Sequence, residues 1–239
     1  MKSLIIEDVD IPTRDDEILL KSSIYYTDNT PKMAPFIVNC PALLEHRNSK
    51  FVKSFTEKFA DAGYYVLSYD HRGHGETAKQ SRKKWARMIP QIFNDIHSVI
   101  DWILEQERKR LLGKKIALFG RSFGGAIILT HGYIDERVKK LIPLCTRYDY
   151  STTQVRFSES DIRIMSPKYY IKNDPSNNER VLLAHCKDDD RIPFKNVIQI
   201  KNHLGLKDSN VLIFETGGHS FKGHRDEIFK KSLDFLKSM

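Results

Sequence analysis

Short apolar runs rich in β-branched and aromatic residues recur along the chain, and the segments between them change in length and period. Residues 4–11 and 18–26 come first, joined by Thr13-Arg14-Asp15-Asp16-Glu17, a connection short enough for an antiparallel hairpin at a sheet edge. Further runs at 36–39, 65–69, 115–119, 138–144, 181–185 and 211–215 bring the total to eight. The crossovers between these are longer, and two carry helical periodicity. Phe51, Phe55 and Phe59 fall four apart, and Ile92, Phe93, Ile96, Ile100 and Ile103 repeat over 89–104. Strand runs alternating with amphipathic helices predict an α/β architecture: an eight-stranded, mostly parallel sheet with helices on both faces. The stretch 151–180 fits neither pattern. It carries Phe157, Met165, Tyr169 and Tyr170 in a polar background and reads as a short cap inserted into a single domain spanning 1–239.

Composition supports a folded chain. At 40% hydrophobic and 29% charged residues, it can bury a large core and keep a solvated surface. The apolar start at Leu4-Ile5-Ile6 meets Glu7 too soon for a signal-peptide core, and no apolar run approaches the length of a membrane span. Cys40, Cys145 and Cys186 each lie in or just after a strand-like run, which suits reduced thiols and a cytoplasmic protein. The formal charge of +8 raises the question of a polyanionic partner. The densest basic stretch, 79–87, holds Lys79, Arg82, Lys83, Lys84 and Arg87, but most other cations alternate with acids and no zinc-finger or RNA-binding signature accompanies them. The expectation is a solvated helix face with no nucleic-acid partner; nucleic-acid binding would instead give strongly salt-dependent retention on DNA.

Gly120-Arg121-Ser122-Phe123-Gly124-Gly125 directly follows the fifth strand run and precedes the helical Ala126-Ile127-Ile128-Leu129. This is the G-x-S-x-G arrangement in which a sharp strand-to-helix turn exposes a serine hydroxyl. Glycines on either side avoid the steric conflict of that turn, and the helix N-terminus favours negative charge developing beside it. A plain glycine-rich turn with a serine N-cap is the competing interpretation, and the strand before and helix after argue against it.

A serine hydroxyl needs an imidazole to take its proton, and the imidazole needs a carboxylate to fix its tautomer. With this elbow the chain order is serine, acid, histidine. His219, in Gly217-Gly218-His219-Ser220-Phe221 after the last strand run, fits that order. His224 reads as a surface residue, and His97, His131 and His203 fall in helical segments where packing or solvation is the default. The acid should follow the run at 181–185, where Asp188, Asp189 and Asp190 stand together.

These residues in this order resemble the α/β-hydrolase superfamily, in particular its monoacylglycerol-lipase-like and serine-aminopeptidase-like branch. Tyr69-Asp70-His71-Arg72-Gly73-His74-Gly75-Glu76-Thr77 is similar to that branch's D-H-R-G-H-G-x-S stretch. The resemblance implies a structural role for this loop, not metal binding by His71 and His74. His185-Cys186-Lys187-Asp188-Asp189-Asp190-Arg191-Ile192-Pro193 resembles the family's H-G-x-x-D-x-x-V-P, and alignment on His185 and Pro193 selects Asp189, with Asp188 next. One departure stands out. The family's loop after the third strand usually begins His-Gly, whereas this chain has Asn39-Cys40-Pro41-Ala42-Leu43-Leu44. Counting back from Asp70 at the family's spacing makes Leu43 the residue whose amide should stabilise an oxyanion, with the amide of Phe123 as second donor.

The resemblance therefore implies a serine hydrolase of carboxylic esters acting through an acyl-enzyme, with Ser122 as nucleophile, His219 as base, Asp189 as acid, and neither metal nor cofactor. Thioesterase, acyltransferase and peptidase chemistry share these steps, and a catalytically silent small-ligand binder is the reading favoured by the altered loop. The small, aromatic cap predicts an apolar pocket suited to short and medium acyl chains.

Overall fold

Central strands covered on both faces need apolar residues on both, and the runs at 36–39, 65–69 and 115–119 supply them. In the computed structural model, which describes residues 3–239, all eight runs join one sheet. The strands are β1 (Leu4–Pro12), β2 (Leu19–Thr27), β3 (Ala34–Cys40), β4 (Tyr65–Tyr69), β5 (Leu111–Arg121), β6 (Val138–Leu144), β7 (Leu183–Cys186) and β8 (Val211–Phe214). Their order across the sheet is β1-β2-β4-β3-β5-β6-β7-β8. The first hairpin is antiparallel, with Leu4 opposite Thr27 and Pro12 opposite Leu19, and β2 also runs antiparallel to β4. Every other pairing is parallel. Met1 and Lys2 lie outside the described residues.

Alternation along the strands sorts the core into two layers. Phe36, Val38, Leu67 and Leu118 face helix α2 (Ile89–Gln106), where Ile92, Phe93, Ile96, Ile100 and Ile103 are all buried. Ile37, Val66, Ala117 and Phe119 face helices α1 (Lys50–Asp61) and α7 (Arg225–Leu236). Phe59 on α1 sits at the centre of that second layer, with ring centroids 5.2 Å from Phe119 and 5.2 Å from Phe229. Its truncation to alanine should cost about 3–5 kcal/mol, measurable as a lowered urea midpoint at unchanged slope.

The structure departs from the sequence reading in three places. β5 begins at Leu111, not at 115, because Leu111 pairs with Ala34 across a register shift and the intervening Gly113-Lys114 both take positive φ. Polar, turn-like residues hide that first stretch. The basic stretch 79–87 is no α-helix face: it lies in two short 3₁₀ turns, Thr77–Gln80 and Trp85–Arg87, and the segment between them. The stretch 151–180 contains two short helices, α4 (Glu159–Met165), capped by Ser158 Oγ accepting from Asp161 N, and α5 (Asn177–Arg180). Both are too short to show a helical period. Met165 and Ile171 from this segment, with Tyr150 just before it, are buried in the same layer as α2.

A reversal of strand order at β3 marks where a site can form. β3 pairs with β4 on one side and with β5 on the other, so the crossovers leave in opposite directions and open a crevice at the carboxyl ends. Cys40 lies directly opposite Gly120 there. Among the described residues, no helix is long and apolar enough to cross a membrane.

Candidate active site

Ser122 directly follows β5 at φ 57°, ψ −113°, a conformation that non-glycine residues avoid. Bonds to the end of β6 and to the loop after it help to hold it there. Its amide donates to Leu144 O at 2.9 Å, and its carbonyl accepts from Thr146 Oγ1 at 2.8 Å. The flanking glycines are required by space: a Cβ on Gly124 would lie 2.2 Å from Cys40 O, and one on Gly120 would lie 2.6 Å from the same carbonyl. Backbone cannot yield as a flexible side chain would. Helix α3 (Phe123–Ile127) starts at once and passes into a π-helical turn over Ile128–Gly132. The amide of Phe123, in its first turn, donates to no protein group among the described residues.

His219 and Asp189 come together although thirty residues separate them. His219 Nδ1 lies 2.8 Å from Asp189 Oδ2, and both residues are buried. The other carboxylate oxygen, Oδ1, accepts from the amides of Arg191 and Ile192, each at 2.9 Å. Burial alone would push the Asp189 carboxyl up, but the bonds from His219 and those two amides outweigh it and hold the group below its ordinary value. His185, the first residue of the acid stretch, donates from Nε2 to Ile192 O at 2.9 Å and so closes the loop around Asp189. The neighbouring Asp188 acts on the other loop. Its carboxylate accepts from Gly217 N at 3.0 Å and Gly218 N at 2.8 Å, anchoring the turn that presents His219. Asp190 is exposed. The Ser122 hydroxyl makes no hydrogen bond among the described residues, so the structure joins His219 to Asp189 and leaves Ser122 and His219 unbonded.

The loop after β3 takes its shape from its own contacts. His71 Nε2 donates to Pro41 O at 2.9 Å, and Glu45 N donates to Ala42 O at 3.0 Å. Leu43 is half-buried, and its amide, like that of Phe123, meets no protein acceptor among the described residues. His71 is fully buried, and burial pushes its imidazole down to about 3, with His74 adding to the effect. A histidine neutral in the fold and titrating near 6.5 when unfolded stabilises fully above that value and progressively less as pH falls toward 3. Unfolding midpoints should therefore drop between pH 7 and 4, and His71→Gln, which keeps a donor for Pro41, should flatten that slope. Its partner His74 binds backbone too, through Nδ1 to Arg72 O at 2.9 Å.

Sequence motifs alone do not identify several residues of this region. Arg121, at the variable position of the elbow, donates to His219 O and to Glu45. Cys145 follows β6 at φ 34° with its Sγ 3.6 Å from His219 O, and burial, reinforced by Asp189, pushes its thiol well up. Cys145, Asp189 and His219 bring their ligand atoms within 4.8 Å of one another, the one such trio found among the described residues. Two of the three already bond to each other. His224 caps α7 and stacks on Phe214 with centroids 4.3 Å apart, so it is more embedded than a free surface residue.

Sheet order and strained elbow together define an α/β hydrolase. A profile of the family described as serine aminopeptidase, S33, matches residues 35–178, and the chain belongs to that family, within the branch that includes the monoacylglycerol-lipase-like hydrolases. The match spans the β3 loop and Ser122 and ends before Asp189 and His219. Among curated relatives, an uncharacterized 31.7 kDa protein of the traX-finO intergenic region of Escherichia coli is 28% identical over 131 residues, covering 54% of this chain and 40% of that protein. The quorum-quenching protein AidA of Acinetobacter baumannii is 28% identical over 131 residues, covering 53% and 40%. The aligned part thus covers about two-fifths of the length of these relatives. Among solved structures, Est1E of Butyrivibrio proteoclasticus with ferulic acid bound superposes with a TM-score of 0.76 at 16% identity, covering 96% of this chain and 98% of that one. The acylaminoacyl peptidase of Pyrococcus horikoshii superposes at 0.75 and 20% identity, covering 99% of this chain and 42% of that one. At such identities the structural matches speak for the fold.

Proposed function

We propose that the chain hydrolyses carboxylic esters of short to medium acyl chains through an acyl-enzyme intermediate. The observation that carries this reading is a serine held at φ 57° on the same sheet edge as a buried imidazole–carboxylate pair at 2.8 Å. The Ser122 oxygen attacks the ester carbonyl while its proton passes to His219 Nε2, the nitrogen left free by the bond from Nδ1 to Asp189. The amides of Leu43 and Phe123 receive the developing oxyanion, and His219 then protonates the departing alcohol. A water molecule, deprotonated by the same imidazole, releases the acid and restores Ser122. The Ser122–His219 bond closes when substrate binds, as happens in other hydrolases whose free form is looser.

The acyl preference follows from the cap. Met165 and Ile171 are anchored in the main core and Phe157 packs against it, which leaves Val155 and Tyr169 as the large exposed apolar side chains of this segment. That is too little surface to cover a long chain. Three free, buried cysteines suit a cytoplasmic setting. The family also supports a second reading, cleavage of peptide amides, since serine aminopeptidases use the same steps on a poorer leaving group.

The test is a panel of p-nitrophenyl esters from acetyl to palmitoyl, an acyl thioester and an aminoacyl amide, run beside labelling by a fluorophosphonate probe. Fastest turnover at two to eight carbons, with stoichiometric labelling, is the expected result. Palmitate as best ester would overturn the chain-length reading, amide turnover exceeding ester turnover would make the chain a peptidase, and absence of both labelling and turnover would leave a silent binder.

A further inference from the structure

The loop that receives the oxyanion lacks its family's His-Gly pair, and a different set of contacts stands in that place. Glu45 bonds back to Ala42, with Ala42 N donating to Oε2 at 3.3 Å, so the carboxylate closes the turn that contains Leu43. Its other oxygen, Oε1, accepts from Arg121 Nη2 at 2.6 Å. Arg121 Nη1 donates in turn to His219 O at 3.1 Å. The guanidinium lies 4.3 Å from the centroid of the Phe51 ring, and Arg121 is 8% exposed. One side chain, from the residue immediately before the nucleophile, ties the oxyanion loop to the loop that carries the base.

We infer that Arg121 and Glu45 are a positioning pair that sets the direction of the Leu43 amide and the placement of His219. The inference rests on the serine-hydrolase reading. A guanidinium is a planar fork whose donors point in fixed directions, so it can hold two acceptors on separate loops at a constant angle, which an ammonium cannot. Largely shielded from water, the contact is little weakened by salt. Leu43 follows Ala42 directly, so fixing Ala42 against Glu45 fixes the peptide whose N–H faces the oxyanion. Displacing such a donor lowers the rate without weakening ground-state binding, because the charge it meets exists only in the transition state. A salt bridge that merely held the fold would show no such selectivity.

The experiment compares the full chain with Glu45→Gln, Arg121→Met, Arg121→Lys, the Glu45→Gln/Arg121→Met double variant and Ser122→Ala. It uses p-nitrophenyl butyrate as substrate and phenylboronic acid as mimic of the tetrahedral adduct. The single variants should lose about 10- to 100-fold in kcat with KM changed less than about threefold, and boronate affinity should fall in parallel. Arg121→Lys should not rescue. The double variant should be no more than about threefold worse than the poorer single, since both remove one unit. The inference is overturned if Glu45→Gln keeps kcat within about twofold, if KM takes the loss while boronate affinity holds, or if the two losses multiply. Glu45→Gln is nearly isosteric, so it decides the matter should Arg121→Met fail to fold. Turnover that survives Ser122→Ala would sink the hydrolase reading itself. Turnover lost in Ser122→Ala but untouched in Glu45→Gln sinks the positioning role alone.

Discussion

Ser122→Ala is expected to lower kcat for ester hydrolysis by about 10⁶-fold and to abolish fluorophosphonate labelling, while leaving the unfolding midpoint almost where it was. The two halves of that expectation have separate causes. Catalysis is lost because alanine has no oxygen with which to attack the ester, and loss of the nucleophile disables the proposed base and acid together. Stability is retained because the hydroxyl makes no hydrogen bond among the described residues, and alanine keeps the Cβ that makes φ 57° unfavourable. Ser122→Gly separates the effects further. It should be equally inactive yet more stable than Ser122→Ala, by about 1 kcal/mol, since glycine adopts positive φ without strain. A Ser122→Ala protein that kept more than about a thousandth of its turnover would show that the reaction runs elsewhere.

The parts of this structure that are legible in the sequence are those in which one local signal decides a conformation. The run at 65–69 matches β4 because a strand buried on both faces demands apolar residues on both, and β6 is legible at 138–144 despite Lys139 and Lys140 because Val138, Leu141, Ile142 and Leu144 carry its apolar character. The elbow is legible because the glycines around Ser122 answer a steric requirement that few other residues meet. Asp189 is selected by resemblance alone, and the bond of His185 to Ile192 ties together the two ends of the loop that carries it. What stays hidden depends on contacts between distant segments. Glu45 and Arg121 are seventy-six positions apart and belong to no periodic pattern, so nothing in either neighbourhood announces that they meet. The short helices of 151–180 escape for another reason, since a helix of seven residues completes too few turns to display a period.

The adjacent aspartates give the sharpest contrast in expected effect. Asp189→Asn should lower kcat by about 10⁴-fold with little change in KM. The amide oxygen can still accept from Arg191 and Ile192, so the loop keeps its shape, but the amide nitrogen then faces His219 Nδ1. Facing a donor, Nδ1 must become the acceptor, which moves the ring proton to Nε2 and removes the lone pair that should take the serine proton. Asp188→Asn meets no such demand. Its carboxylate contacts two glycine amides and no part of the imidazole, and an asparagine oxygen can retain one of them. A loss of a few-fold, from a looser His219 turn, is expected there. The difference between the variants, about three orders of magnitude in kcat at pH 8, is therefore a measure of tautomer control separated from loop anchoring. Equal losses in the two would mean that Asp189 acts only as a structural brace, and the acid of the triad would have to be sought again.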